Sequence, residues 1–286
     1  MIDGLIVIDK PKGFTSRDVV NKVSKILKTK KIGHTGTLDP IACGVLVLTV
    51  GKATKLTDIL TSNDKEYIAE MVFGIETDTL DIEGKIINEE NIFIKRDTIE
   101  NTLQLFVGSY EQEVPIYSAV KVNGKKLYEY ARNGEEVILP KKIVTIYKID
   151  LIDYKIENKK IKVSFSCLVS KGTYIRGLIR DISKKLNTYG IMTNLRRVKQ
   201  GKYDIENSYS IEDIENGNYK IIKFEEIFKN YKHIIMDEEL EKKIVNGVKI
   251  KDIYNEGYII FKSKEGIIKA LYKKDDIYLK PYKMFL

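Results

Sequence analysis

The sequence predicts an α+β protein with a large N-terminal part and a small, strand-rich tail. Apolar runs at residues 4–9 and 45–50, each bounded by glycine, proline or charged residues, read as short buried strands. Amphipathic stretches near 15–29 and 174–186 read as helices set between such strands. After about Tyr231 short strands recur at close intervals, the pattern of a small β-barrel of about 50 residues. The expected division is therefore 1–230 and 231–286.

In order, residues 4–9 (GLIVID) form a strand ended by the basic turn 10–13, and Thr15 or Ser16 caps a helix running to about Thr29. Its apolar face carries Val19, Val20, Val23, Ile26 and Leu27. Residues 33–51 (GHTGTLDPIACGVLVLTVG) form the organising stretch. Gly33, Gly36 and Gly44 permit close backbone approach, while Pro40 disfavours helix at Asp39 and sets this carboxylate just before a buried strand. Many Asp-Pro pairs only cap turns; the buried strand behind and His34 upstream favour a functional acid.

A short helix at 54–61 and a strand at 66–73 follow, with Tyr67 at the start of that strand. Residues 77–84 (TDTLDIEG) lack the spacing of a calcium loop and read as a tight, solvated turn. A helix from Asp97 or Thr98 to about Phe106 leads to 115–134, where tyrosines alternate with lysines around an Asn123-Gly124 hairpin turn and a helix near 127–132. Strands occupy 138–169 with a turn at 157–158. Ser170-Lys171-Gly172-Thr173 then starts the helix carrying Arg176, and Leu195-Arg196-Arg197 opens a strand ending at Gly201. Short helices follow at 210–215, 224–228 and 238–245.

The 49 Lys+Arg exceed the 41 Asp+Glu, a net charge of +8, which fits a polyanionic partner. Only two cysteines and two histidines are present, far apart, which excludes a disulfide framework and a conventional zinc centre. No apolar run approaches the roughly 20 residues of a membrane helix, and the N-terminus lacks a signal-peptide pattern, so a reduced, cytoplasmic protein is expected. Gly51-Lys52-Ala53-Thr54 is not a phosphate-binding P-loop: Leu46 stands where a glycine is needed, and Ala53 where Ser or Thr is needed.

Taken together, these motifs resemble the TruB family of tRNA pseudouridine synthases, which isomerise a uridine in the tRNA T-loop. The resemblance spans nearly the whole chain: residues 4–13, GHTGTLDP at 33–40, Lys65-Glu66-Tyr67, the 77–84 loop, PIYSA at 115–119, GKKLYEYAR at 124–132, SKGTYIR at 170–176 and Leu195-Arg196-Arg197 before Gly201. It implies a mixed, mainly antiparallel central sheet flanked by helices, the pseudouridine synthase fold, with a C-terminal PUA-like barrel. It also implies uridine 55 as the target, no cofactor and no metal, and a stand-alone monomer that binds the tRNA T-arm without protein partners or membrane.

The resemblance assigns Asp39 as the nucleophile and Arg176 as the cation that keeps it ionised against desolvation. Tyr67 would stack on the flipped uracil and serve proton transfer at C5. Tyr174 and Leu195 would line the pocket, His34 would fill the space vacated in the RNA, and Lys10 would support the Asp39 loop or a phosphate. Attack at C1′, addition to C6 and removal of a ribose proton all remain open for Asp39. The rival functions are a non-catalytic tRNA-binding chaperone and a guide-RNA-dependent relative. The pairing of Asp39 with Arg176 speaks against pure binding, and the lack of basic extensions speaks for a stand-alone enzyme. Two departures stand out: Gly177, where a hydroxyl residue is common, and a glycine-poor 187–190.

Overall fold

The computed structural model describes residues 2–286. Its main sheet has nine strands. These are β1 (Gly4–Lys10), β2 (Ile32–His34), β3 (Cys43–Val50), β4 (Lys65–Phe73), β5 (Gly108–Glu113), β6 (Lys141–Glu157), β7 (Lys160–Val169), β8 (Gly190–Gln200) and β9 (Tyr203–Asp204). The spatial order is β1-β3-β8-β4-β7-β6-β5, with β2 on β3 and β9 on β8. Every pairing is antiparallel except β3 with β8. The helices that bear on the site are α1 (Ser16–Ile26), α2 (Thr57–Thr61), α3 (Arg96–Gln104), α4 (Leu127–Asn133) and α5 (Ile175–Lys185).

The strands β1 and β3 read as unbroken apolar runs because both of their faces are covered. Ile6, Ile8, Leu46 and Leu48 pack with Val19, Val20 and Val23 of α1. On the other face Leu5, Val7, Val45 and Val47 pack with Ile260, Ile268, Leu271 and Phe285 from the tail. A third apolar cluster joins β4 and β7 to Ile99 and Leu103 of α3 and to Ile175, Leu178, Ile179 and Ile182 of α5.

The helix α1 starts with a capping box: the Thr15 hydroxyl accepts from the Asp18 N–H, and the Asp18 carboxylate accepts from the Thr15 N–H. It ends at Ile26, short of the expected Thr29, because Lys28 turns left-handed at φ 50°. The Asn123-Gly124 turn has positive φ at both residues, as a two-residue hairpin demands.

Three readings change. The strand expected to open at Leu195 begins at Gly190, and Ile191 and Met192 are buried beside β4. Residues 77–84 are a turn that is only partly solvated: Ile82 and Glu83 are exposed, but Thr77 and Asp81 are buried, and Asp81 forms an isolated bridge to Met192. The tail is a five-stranded curled, PUA-like sheet in linear order, and it includes a strand that sequence reasoning passed over. That strand, Lys232–Ile235, pairs in parallel with Tyr258–Lys262. The tail also grips the main sheet at its end, with Lys52 and Lys55 donating to the carbonyls of Phe285 and Met284.

One close approach fixes where the sheet splits. The second edge of β3 is shared: β2 pairs with Leu48 to Val50, and β8 with Cys43 and Gly44. Gly44 has φ 101°, and a Cβ there would stand 2.2 Å from the Arg197 carbonyl oxygen. Gly44→Ala should therefore cost about 3 kcal/mol or more in urea unfolding, combining backbone strain with a main-chain clash. Gly134→Ala, at φ 65° with open space around it, should cost only about 1–2 kcal/mol.

Candidate active site

The loop between β2 and β3 leaves the sheet where β3 changes neighbours. Leu38, Ile41 and Ala42 are buried on either side of Asp39 and pack in one cluster with Tyr67 and Leu195. The Ser16 hydroxyl accepts from the Leu38 N–H at 2.9 Å. Gly13 N–H donates to the Pro40 carbonyl at 2.8 Å, and the Ala42 N–H closes a turn on the Asp39 carbonyl at 3.0 Å. Apolar anchors and main-chain hydrogen bonds thus hold the loop, and the Asp39 carboxylate is left at its crest.

Arg176, in the first turn of α5, meets it. Its Nε stands 3.0 Å from Asp39 Oδ2, and the side chains are 6% and 38% exposed respectively. The guanidinium is the buried member and the carboxylate the accessible one, a reversal of the expectation of an acid in a dry pocket. Arg176 Nη1 donates to the Thr79 carbonyl at 2.8 Å and Nη2 to the Tyr117 carbonyl at 3.0 Å. Asp81 Oδ2 lies 3.7 Å from Nη1. Asp81 is itself fixed, accepting from the Thr79 hydroxyl at 2.6 Å and the Glu83 N–H at 3.1 Å. A buried cation needs paired charge and satisfied donors, and this one has both.

Tyr67 lies on β4, directly across from Arg197 of β8, and is almost fully buried. Burial pushes its phenol up, opposed by Arg197 and reinforced by Asp39. Tyr174 is the residue capping α5, its phenol also raised by burial and lowered in turn by Ser118 and Arg176. Lys10 is fully buried, its ammonium donating to the Pro11 and Phe14 carbonyls, and burial holds it below the usual lysine range. His34 ends β2, half-buried, with Nδ1 accepting from the Gly36 N–H at 3.4 Å. Burial lowers its pKa from 6.5, so it is neutral at pH 7. The structure thus gathers Asp39, Arg176, Tyr67 and Leu195 around one cluster, with Tyr174 two residues before Arg176 in the chain; Lys10 and His34 belong to the framework of the same loop.

A family model described as TruB family pseudouridylate synthase (N terminal domain) matches residues 24–175. A protein of Fusobacterium nucleatum named tRNA pseudouridine synthase B is 47% identical, covering 99% of this chain and 100% of its own. The chain belongs to the TruB family. Proteins of the same name from Lactobacillus acidophilus (40% identical, 100% and 99% covered) and Clostridium kluyveri (44%, 88% and 86%) are also similar. Among solved structures, one of a Cbf5-Nop10-Gar1 complex aligns with a TM-score of 0.71 at 23% identity, covering 99% of this chain and 85% of that one. Another, of an H/ACA RNP bound to a substrate RNA, gives 0.70 at 22%, with 99% and 85% covered. These likenesses show the fold: a pseudouridine synthase domain with a PUA-like appendage.

Around this loop, sequence reasoning missed three buried charged residues. Asp81 lay in the loop read as solvated; its place three residues before Gly84 in the 77–84 motif was the available signal. Arg197 is 1% exposed and straddles the Asp39 loop, with Nε donating to the Val45 carbonyl at 2.6 Å and Nη2 to the Gly36 carbonyl at 3.0 Å. Lys65, two residues before Tyr67, is buried nearby with Nζ on the Thr61 and Asn63 carbonyls. Among the described residues no group of three or more His, Cys, Asp and Glu is placed to hold a metal ion.

Two outcomes follow. Asp81→Ala should slow turnover on the order of tenfold or more, a loss of ~1.4 kcal/mol per decade, while RNA affinity stays within about twofold, as single-turnover rates and filter binding would read. Burial, with Arg197 and Lys171 adding repulsion, lowers the Lys65 ammonium from 10.5 to about 8. Above pH 8 the unfolded chain keeps a proton that the folded chain has lost, so stability contributed at this site rises from pH 8 toward 10.5. Denaturant unfolding of Lys65→Met should lack that rise relative to the parent.

Proposed function

We propose that the protein is a tRNA pseudouridine synthase that converts uridine 55 of the T-loop to pseudouridine. The observation that carries this reading is the Asp39–Arg176 contact at 3.0 Å at the crest of an anchored loop, in a chain of the TruB family. The names of the relatives support tRNA as the substrate.

The reaction breaks the bond from uracil N1 to ribose C1′, rotates the ring and joins C5 to C1′. C5 gives up its proton and N1 gains one, so no oxidant, reductant or external group is consumed. Asp39 is the nucleophile, adding to C1′ or C6, or else it takes a ribose proton, and the accessible carboxylate suits any of these approaches. A covalent adduct would divide one difficult step into two. Arg176 pairs with Asp39 and aims it. The target base flips out of its stack, at a cost of a few kcal/mol, onto the face made by Tyr67, Leu195 and Tyr174. Burial keeps the Tyr67 phenol protonated, so it can take the proton that C5 gives up only by releasing its own, which balances the proton that N1 gains. His34, uncharged, enters the gap left in the RNA without an added charge. Lys10, whose ammonium serves two loop carbonyls, holds the 10–14 turn against which the Asp39 loop rests.

Residues 1–230 form the catalytic unit in this reading, and 231–286 an RNA-binding one that acts in the same monomer without protein partners. Cation–aromatic stacks on the tail, with Lys273 over Tyr258 and Tyr282 and Lys249 over Tyr278, support an affinity for RNA. Because Ile260, Leu271 and Phe285 complete the core over β1 and β3, truncating the tail would expose Leu5 and Val7. Point substitutions such as Lys273→Ala are the cleaner probe.

Asp39→Asn should abolish tritium release from tRNA carrying 5-tritiated uridine and leave tRNA affinity within about twofold. Turnover retained by this variant would remove Asp39 from its role. Affinity of the parent should fall steeply with salt, in proportion to the phosphates contacted.

A further inference from the structure

The edge strand β5 pairs only with β6, yet it carries a fully buried polar side chain: Gln112, 1% exposed. Its carboxamide faces the main chain of Tyr174 in a two-point pair. Oε1 accepts from the Tyr174 N–H at 2.8 Å, and Nε2 donates to the Tyr174 carbonyl at 3.1 Å. Nε2 also donates to the Tyr110 hydroxyl at 2.7 Å, and that hydroxyl reaches Asp181 Oδ2 at 3.3 Å on the next turns of α5. One residue along, the Glu113 carbonyl and carboxylate both accept from Arg180. The edge strand therefore grips α5 at its start and again near its middle.

The start is where precision matters. Tyr174 caps α5 in an extended conformation, φ −97° and ψ 114°, with no side-chain cap of its own, and Arg176 is the second helical residue. A helix N-terminus without a cap leaves its entry angle to tertiary contacts. The Gln112 carboxamide supplies that contact and lies flat on the first turn: a Cβ on Gly177 would stand 3.1 Å from its Cδ. Gly177 thus gives the carboxamide room to lie against the helix. An amide is the one side-chain group that both donates and accepts through a planar fork at neutral pH, matching a peptide N–H and C=O on one residue.

We propose that Gln112 is a positioning residue for the isomerisation. It fixes the main chain of Tyr174 and through it the angle at which α5 delivers Arg176 to Asp39. It touches no substrate and acts only through those two side chains, so the proposal rests on their reading as site residues.

The experiment compares Gln112→Leu and Gln112→Glu with the parent in single-turnover tritium release, tRNA filter binding and thermal unfolding. Gln112→Leu should lose about ten- to a hundredfold in rate while its tRNA affinity stays within about twofold. In Gln112→Glu, the ionised carboxylate accepts from the Tyr174 N–H but repels its carbonyl. Protonation restores the donor, so the deficit should shrink as pH falls from about 8 to about 6. A rate for Gln112→Leu within about twofold of the parent, rate and affinity falling together, or a Gln112→Glu deficit flat with pH would each overturn the proposal. Should Gln112→Leu fail to fold, the pH profile of Gln112→Glu decides. A parent chain inactive on tRNA would sink the isomerase reading instead. In that case a crystal structure of either folded variant still decides: an Arg176 Nε to Asp39 Oδ2 separation lengthened from 3.0 Å supports the role, and an unchanged one overturns it.

Discussion

The site depends on one buried guanidinium. Arg176 is tied to the Thr79 and Tyr117 carbonyls, to Asp39 and to Asp81, so it joins the loop before β3, the 77–84 loop, the 115–119 segment and α5 at a single point. Taking a charge from water costs several kcal/mol, and stripping one partner from a buried pair costs about 3–5 kcal/mol. The loops are therefore held in register by the need to keep this cation satisfied. The same demand leaves Asp39, the more exposed partner, accessible on its open side.

The sheet makes that convergence possible. Asp39 belongs to the loop that spans the change of neighbours along β3, from β2 to β8, and Arg197 crosses beneath it to bind Gly36 on one side and Val45 on the other. Tyr67 and Leu195 come from β4 and β8, adjacent strands whose register is set by the antiparallel ladder between them. A strand-borne face and a loop-borne carboxylate are thus placed by different means: the first by sheet geometry, the second by apolar anchors and hydrogen bonds. Function carried on a loop over a rigid scaffold is a common division of labour.

Much of this was legible in the residues. Apolar runs located β1 and β3 because burial on both faces leaves a strong pattern, and Thr15 or Ser16 marked the start of α1, which Thr15 caps by its exchange with Asp18. What escaped depends on distant partners. Residues 77–84 are mostly polar, and the burial of Thr77 and Asp81 among them depends on partners far along the chain, Arg176 and Met192. The strand Lys232–Ile235 is short and leans on a parallel neighbour more than twenty residues later, a pairing no local periodicity encodes. Gln112 sits on an edge strand among charged residues, where a glutamine reads as surface until the start of α5 closes over it. The burial of Arg176 rather than Asp39 is likewise a property of the assembled loops.

The central claim is that Asp39, held by Arg176, meets a uridine extruded from the T-loop. Its most direct test is to incubate unmodified tRNA with the purified protein and map pseudouridine along the whole molecule at single-nucleotide resolution. The account predicts conversion at uridine 55 and at no other uridine. An unmodified tRNA, or pseudouridine at a different position with uridine 55 untouched, would contradict it.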